Sequence, residues 1–253
     1  MKVSAVIITR NEEAMLPACL ESVSWADEII VVDSGSADRT VEIARMQGAK
    51  VIETRDWPGF GAQKNRALDA ATHEWVLSID ADERVTPELR DEIRHIVSDG
   101  NPMTAYRIPR RSRFCRREMR HSGWWPDYVV RLFRRDAARF SDDLVHERVL
   151  VDSAQCGTLK TPLVHEAIRD LEQVLDKVNR YSTAGAAALA GRGRRATLSG
   201  AIGHGLWAFI RTYFLRAGFL DGREGFMLAV SNAEGAYYRY TKLMLIGRRG
   251  PDA

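Results

Sequence analysis

Cysteine is scarce in this chain: Cys19, Cys115 and Cys156 are three, an odd number, with no metal-ligand spacing among them. That argues against a disulfide framework and fits a reducing compartment, so the cytoplasm is the expected location. Long apolar runs are also missing. No stretch reaches the roughly 18 uncharged apolar residues that a spanning helix needs, so a transmembrane anchor is not expected. The apolar run Val3 to Ile8 stops before Arg10 and Glu12, too short for the core of a signal peptide with its cleavage site. Internal repeats and low-complexity segments are absent too. Net charge is only +3 and no known nucleic-acid-binding motif accompanies it, so nucleic acid ranks last among expected partners.

What remains is a chain of 253 residues with 45% hydrophobic content, enough to bury a sizeable core. Its first hundred residues alternate strand and helix signals. Strands are predicted over Val3 to Ile8, Glu28 to Asp33, Lys50 to Glu53 and Trp75 to Ile79. Helices are predicted after Asn11 as a cap with Glu12 and Glu13 in the first turn, over Thr40 to Met46, and over Gln63 to Ala70. Near-continuous β-branched runs separated by helices imply a mostly parallel sheet with flanking helices. Thr86-Pro87-Glu88 reads as a cap with proline at the first helical position, opening a helix to about Ser98. Short strands (Tyr106 to Ile108, Tyr128 to Phe133, Val149 to Val151, Thr158 to Val164) then predict a mixed, acceptor-facing sheet. A helix from about Asp170 to Leu189 and a linker at Gly191 to Arg195 follow. The expected division is 1–190 for the catalytic domain, with halves at 1–100 and 101–190, and 196–253 for a C-terminal helical extension.

Positive charge is uneven. Arg107, Arg110, Arg111, Arg113, Arg116, Arg117 and Arg120 crowd one segment, and arginine's planar fork suits phosphate and carboxylate. A solvated basic loop and a surface for an anionic acceptor or phospholipid headgroups both fit. Residues 199–246 are rich in Trp, Phe, Tyr, Met and Leu with Arg211 and Arg216 among them. Such helices suit a membrane interface, or else packing on the catalytic domain or a homodimer contact.

The most informative feature is Asp80-Ala81-Asp82-Glu83, directly after the apolar run Trp75 to Ile79. Alternation along an extended backbone lets Asp80 and Asp82 face one side of a strand end. Carboxylates that close repel unless a cation or donor lies between them, and Mg²⁺ or Mn²⁺ bridging a nucleotide diphosphate would serve. Parallel sheets place ligands at the carboxyl ends of their strands, which collects Thr9-Arg10-Asn11-Glu12, Asp33-Ser34-Gly35-Ser36 and the acidic motif in one place.

The segments Val6 to Glu13, Ile30 to Thr40 and Ser78 to Glu83 resemble the successive nucleotide-sugar motifs of family 2 glycosyltransferases with the GT-A fold, over roughly residues 1–170. Trp57 to Asn65, Arg131 to Arg134 and Tyr213 to Gly222 resemble, more narrowly, the bacterial enzymes that add a sugar to lipopolysaccharide core. The resemblance implies that Thr9, Arg10, Asn11, Glu12 and Asp33 hold the nucleoside, that Asp80 lies near the ribose, and that Asp82 ligates the metal. Lys64 would add positive charge at the phosphates, unless it is an ordinary surface lysine. His165, after Pro162-Leu163-Val164, has the right order to complete the metal site. Gly123, in Ser122-Gly123-Trp124-Trp125-Pro126-Asp127, matches a donor-contacting loop where Trp124 or Trp125 could stack on a sugar, or simply be core. Inverting transfer needs a base on the acceptor side, and Glu147 in Val145-His146-Glu147 is the expected residue, with Asp142 and Asp143 as substitutes. His146 reads as a hydrogen-bonding structural residue. The implied reaction moves a hexose, glucose from UDP-glucose foremost, onto a glycolipid acceptor at the inner face of the cell membrane. Transfer to a polyprenyl phosphate and a non-catalytic sugar-nucleotide-binding scaffold are the alternatives, and a homo-oligomer is compatible with each.

Overall fold

The computed structural model describes residues 1–100, 102–141 and 148–247. It divides into two compact units, one of Met1–Arg110 with Asp127–His165, the other of Arg111–Pro126 with the chain from Glu166 onward. Strands β6 (Ala105–Phe114) and β12 (Leu163–Ile168) run through the boundary.

The first unit is built on β1 (Val3–Thr9), β2 (Glu28–Asp33), β3 (Lys50–Glu53) and β4 (Trp75–Ser78), all parallel, in the order β3-β2-β1-β4. Strand β8 (Tyr128–Arg134) adds antiparallel to β4, and β6 antiparallel to β8, so the sheet is mixed on that side. Alternation along β1 sends Val3, Ala5 and Ile7 to one face and Val6 to the other. The first face is covered by α1 (Leu16–Ser22) through Leu16 and Leu20, and by α4 (Pro87–Ser98) through Leu89, Ile93 and Val97. The second is covered by α3 (Phe60–Ala70) through Ala67 and Leu68, packed with Ile30, Val32 and Phe133. Helix α2 (Thr40–Met46) follows β2. A short strand β5 (Glu83–Arg84) pairs antiparallel with β12, setting His165 opposite Glu83. The small strands β9 (Arg139–Phe140) and β10 (Val149–Leu150) pair with each other, and β11 (Cys156–Thr158) lies parallel to β6.

Three expectations need correction. Asn11 does not cap a helix: its φ is 57°, a left-handed turn that asparagine tolerates, and α1 begins only after Met15. The strand expected over Tyr106 to Ile108 is the ten-residue β6. The strand expected over Thr158 to Val164 is broken in two, because the amides of Lys160 and Thr161 both donate to the Glu92 carboxylate at 2.9 Å and Pro162 has no amide to donate.

In the second unit β7 (Arg117–Glu118) pairs with the end of β6. Helix α5 (Leu171–Gly191) starts with a reciprocal box: Asp170 accepts from Gln173 N at 2.9 Å, and the Gln173 side chain accepts from Arg169 N at 3.0 Å. Helix α6 (Leu198–Ile210), capped by Thr197, widens to a π turn over Arg211–Leu215. A 3-10 turn over Gly218–Asp221 then leads into α7 (Gly222–Ile246), which packs on both α5 and α6. Buried Asp221 accepts from Arg120 N at 3.0 Å, His121 N at 3.1 Å and Ser122 Oγ at 2.9 Å, tying the loop after β7 to the head of α7. Among the described residues no helix is long and apolar enough to cross a membrane.

Candidate active site

The carboxyl ends of β1, β2 and β4 lie side by side, with Thr9 opposite Asp33 and Ile79 N bonded to Val6 O at 3.1 Å. Thr9 and Asp33 are buried, and the Thr9 hydroxyl donates to Asp33 Oδ1 at 3.0 Å. Ser36 donates its hydroxyl to the same oxygen at 2.5 Å and its amide to Oδ2 at 2.8 Å, so the Asp33 carboxylate closes the loop that follows it. That loop is laced to the one after β1: Asn11 N donates to Ser36 Oγ, Ala37 N to Asn11 Oδ1 and Glu12 N to Thr40 Oγ1, each at 2.8 Å. Arg10 is exposed beside them. Buried Gln63 on α3 donates to Ser34 Oγ at 2.9 Å and Thr54 Oγ1 at 2.7 Å, holding the clasp from beneath.

Next to the clasp is a chain of charges. Lys64 is not an ordinary surface lysine; it is buried, with Nζ 3.0 Å from Asp80 Oδ1. Arg131, also buried, donates from Nη2 to Asp80 Oδ2 and, at 2.6 Å, to Glu83 Oε1. Glu83 has no exposed surface; its other oxygen accepts from Asp80 N at 3.0 Å, and Arg110 stands 3.5 Å from Oε1 while also gripping Asp127. Burial alone would raise the Asp80 carboxyl, but Arg131 and Lys64 outweigh it and hold it well below the usual carboxylate range. The same carboxylates push the Arg131 guanidinium upward against its own burial penalty. Below Asp80, the buried Cys19 thiol donates to its carbonyl oxygen at 3.5 Å, and burial raises that thiol well above the ordinary range, so it is an inert filler of the floor.

The two aspartates of the acidic motif therefore part company. Asp80 is met by protein cations, whereas Asp82, two residues on, reaches His165, with Oδ2 3.3 Å from Nε2. The β5–β12 pairing makes that approach possible. Gly123 sits in the second unit at φ +81°, where a Cβ would collide with the Arg216 side chain. Glu147, with Asp142, Asp143 and His146, lies outside the described residues.

The family model described as Glycosyl transferase family 2 matches residues 4–152, the stretch that contains both loops and the whole charge chain. The chain belongs to glycosyl transferase family 2. A glycosyltransferase of Rickettsia typhi is 32% identical over 96% of this chain and 86% of its own. The lipopolysaccharide core biosynthesis glycosyltransferase LpsC of Rhizobium meliloti is 31% identical over 96% of this chain and 92% of its own. Among solved structures, the glucosyl-3-phosphoglycerate synthase of Mycobacterium tuberculosis, crystallised with Mn²⁺ and uridine diphosphate, is 28% identical over 45% of this chain and 44% of its own, with a TM-score of 0.36.

The family 2 chain is thus a glycosyltransferase, and its α/β, mostly parallel sheet with a helical C-terminal region is of the GT-A type. Whether a divalent cation suits the residues present can be judged from the donors. Among the described residues no three His, Cys, Asp or Glu side chains group for a metal. Asp82 and His165, 3.3 Å apart, could share one shell as a two-donor site, with diphosphate oxygens and water completing it, and hard cations accept such a mixture. The residues fit. Arg131 and Glu83 were not anticipated as site residues. The signal for Arg131 is in the sequence, since a charge inside the otherwise apolar Val129-Val130-Arg131-Leu132-Phe133 must find a counter-charge if that strand is interior.

Proposed function

We propose that this family 2 enzyme is an inverting, metal-dependent hexosyltransferase that moves glucose from UDP-glucose onto a lipopolysaccharide-core type glycolipid at the inner face of the cell membrane. The observation that carries the reading is the approach of Asp82 to His165 beside a carboxylate, Asp80, already neutralised by Lys64 and Arg131. A strand end so arranged offers a carboxylate and an imidazole to a cation and a fixed polar wall to the nucleotide. Similarity to LpsC, over nearly the full length of both chains, supports the acceptor class.

In the proposed mechanism the Thr9 to Glu12 loop and Asp33 hold the nucleoside, with Arg10 and Asn11 on its rim. Asp80 accepts from the ribose hydroxyls, while Lys64 and Arg131 are positioning residues that keep its carboxylate charged and aimed. Asp82 and His165 would hold Mg²⁺ or Mn²⁺, which when bound neutralises charge on the departing diphosphate. Glu147 takes the acceptor hydroxyl's proton as that oxygen bonds to the anomeric carbon and the carbon–phosphate-oxygen bond breaks from the opposite face, its electron pair leaving with the diphosphate.

The test is Asp82→Asn, assayed for nucleoside diphosphate release from UDP-glucose with acceptor-bearing vesicles. Transfer is expected to fall to background with the circular dichroism spectrum and urea midpoint kept. Turnover within a few fold of the parent would overturn the assignment.

A further inference from the structure

The second unit contains a cavity of about 520 Å³ that the transfer reaction does not use. Its lining comes from α5, the π turn and α7, with the loop around Gly123. Three guanidinium side chains border it, those of Arg211, Arg216 and Arg239, together with Lys177. No aspartate or glutamate is among its lining residues, and among the described residues none of the three arginines forms an ion pair. Lys177 is anchored, donating to Ala167 O at 2.8 Å. Between the cations the walls are apolar, formed by Phe114, Trp124, Val174, Val178 and Leu228.

Two glycines give the arginines their places. A Cβ on Gly123 would fall 2.8 Å from Arg216 Cδ, and one on Gly185 would fall 2.7 Å from Arg239 Nε, so each guanidinium arm lies directly on bare backbone. Like charges gathered without a carboxylate repel one another, a cost that an anion entering the cavity would remove. Arginine forks match the oxygens of phosphate or carboxylate. The apolar walls exclude a bare anion as the best fit, since they gain only from a ligand with hydrocarbon attached. The stretch that supplies Arg211 and Arg216 also exposes Phe214, Leu215, Phe219 and Leu220, each at 49% or more, as a segment at a lipid surface would.

We propose that this cavity binds the anionic head of a membrane amphiphile, its phosphate or carboxylate on Arg211, Arg216 and Arg239 and its first carbons against the apolar wall. The site goes beyond the donor chemistry and holds whichever sugar is transferred. Short-chain phosphatidic acid below its micelle concentration is titrated calorimetrically into the full chain without nucleotide, beside inorganic phosphate. The lipid is expected to bind more tightly than phosphate. Arg211→Gln and Arg239→Gln should each weaken it about fivefold, the equivalent of about 1 kcal/mol per basic residue, and the exposed Arg223→Gln should leave it unchanged. Flotation of the unaltered chain should favour phosphatidylcholine vesicles containing phosphatidylglycerol over phosphatidylcholine alone, which requires no variant to fold. Phosphate binding as tightly as the lipid, equal loss with Arg223→Gln, or equal flotation on both vesicles would overturn the proposal. No turnover is read, so failure here leaves the transferase reading intact, and an active or inactive Asp82→Asn leaves this site untouched.

Discussion

At the residue scale, the site is governed by Glu83 as much as by the aspartates around it. Its carboxylate is wholly enclosed and bonded to Arg131 at 2.6 Å, so removing its charge strands a buried guanidinium. Breaking one partner of a buried pair costs about 3 kcal/mol or more, and Glu83→Gln should lower stability by about 3 kcal/mol in urea titrations; a change under about 1 kcal/mol would mean that Asp80 alone satisfies Arg131. Asp80 sets a pH signature. Its carboxyl is depressed in the folded chain, so the unfolded chain binds the extra proton first, and the stabilisation is present above about pH 4 and lost as pH falls below it. Unfolding free energies measured on both sides of that pH should show an acid-side loss that is shallower in Asp80→Asn. An identical slope would remove Asp80 as its source.

At the element scale, the most constrained junction is the entry to α7. Gly225 lies against the carbonyl of Gly218 so closely that a Cβ there would meet Gly218 O and, at 2.9 Å, Asp221 Cβ. Backbone cannot yield as a flexible side chain does, and overpacking of this kind costs roughly 1–3 kcal/mol. Gly225→Ala should therefore lower the thermal midpoint and loosen amide protection in the 3-10 turn over Gly218–Asp221 while β1 to β4 keep theirs. Unchanged protection in the turn would refute this. Elements of this kind were partly legible. The Thr86 cap, the strand over Glu28 to Asp33 and the helix from Asp170 are written in local signals and occur as read. The helix after Asn11 was misread because asparagine there serves the neighbouring loop through Ala37 N, a tertiary use that local capping rules cannot see.

For the molecule as a whole, the legible part of the site is the part that adjacent parallel strands deliver. Thr9, Asp33 and the acidic motif follow apolar runs, so their meeting at one sheet end is implied by the βαβ pattern alone. Asp82 and His165 also meet, but through a pairing of β5 with β12 that no local feature announces. The partners of Asp80 were hidden for the same reason. Lys64 looks like any helical lysine until α3 is seen packed on β1 and β2 with Nζ reaching Asp80, and Arg131 arrives on a strand that runs against its neighbours. The cavity between α5 and α7 is likewise a product of packing, because its arginines are spread from Arg211 to Arg239 and only the fold gathers them.

The antiparallel insertion of β8 also fixes an order of events during synthesis. A ribosome emits Asp80 and Glu83 some fifty residues before Arg131, and His165 later still. Until then the nascent amino-terminal portion carries the buried Glu83 and the half-buried Asp80 with Lys64 and, once it has emerged, Arg110 as counter-ions but without the close contacts of Arg131, which disfavours any early compact state. Commitment of that portion to its final form is therefore tied to the emergence of chain some fifty residues downstream of the acidic motif.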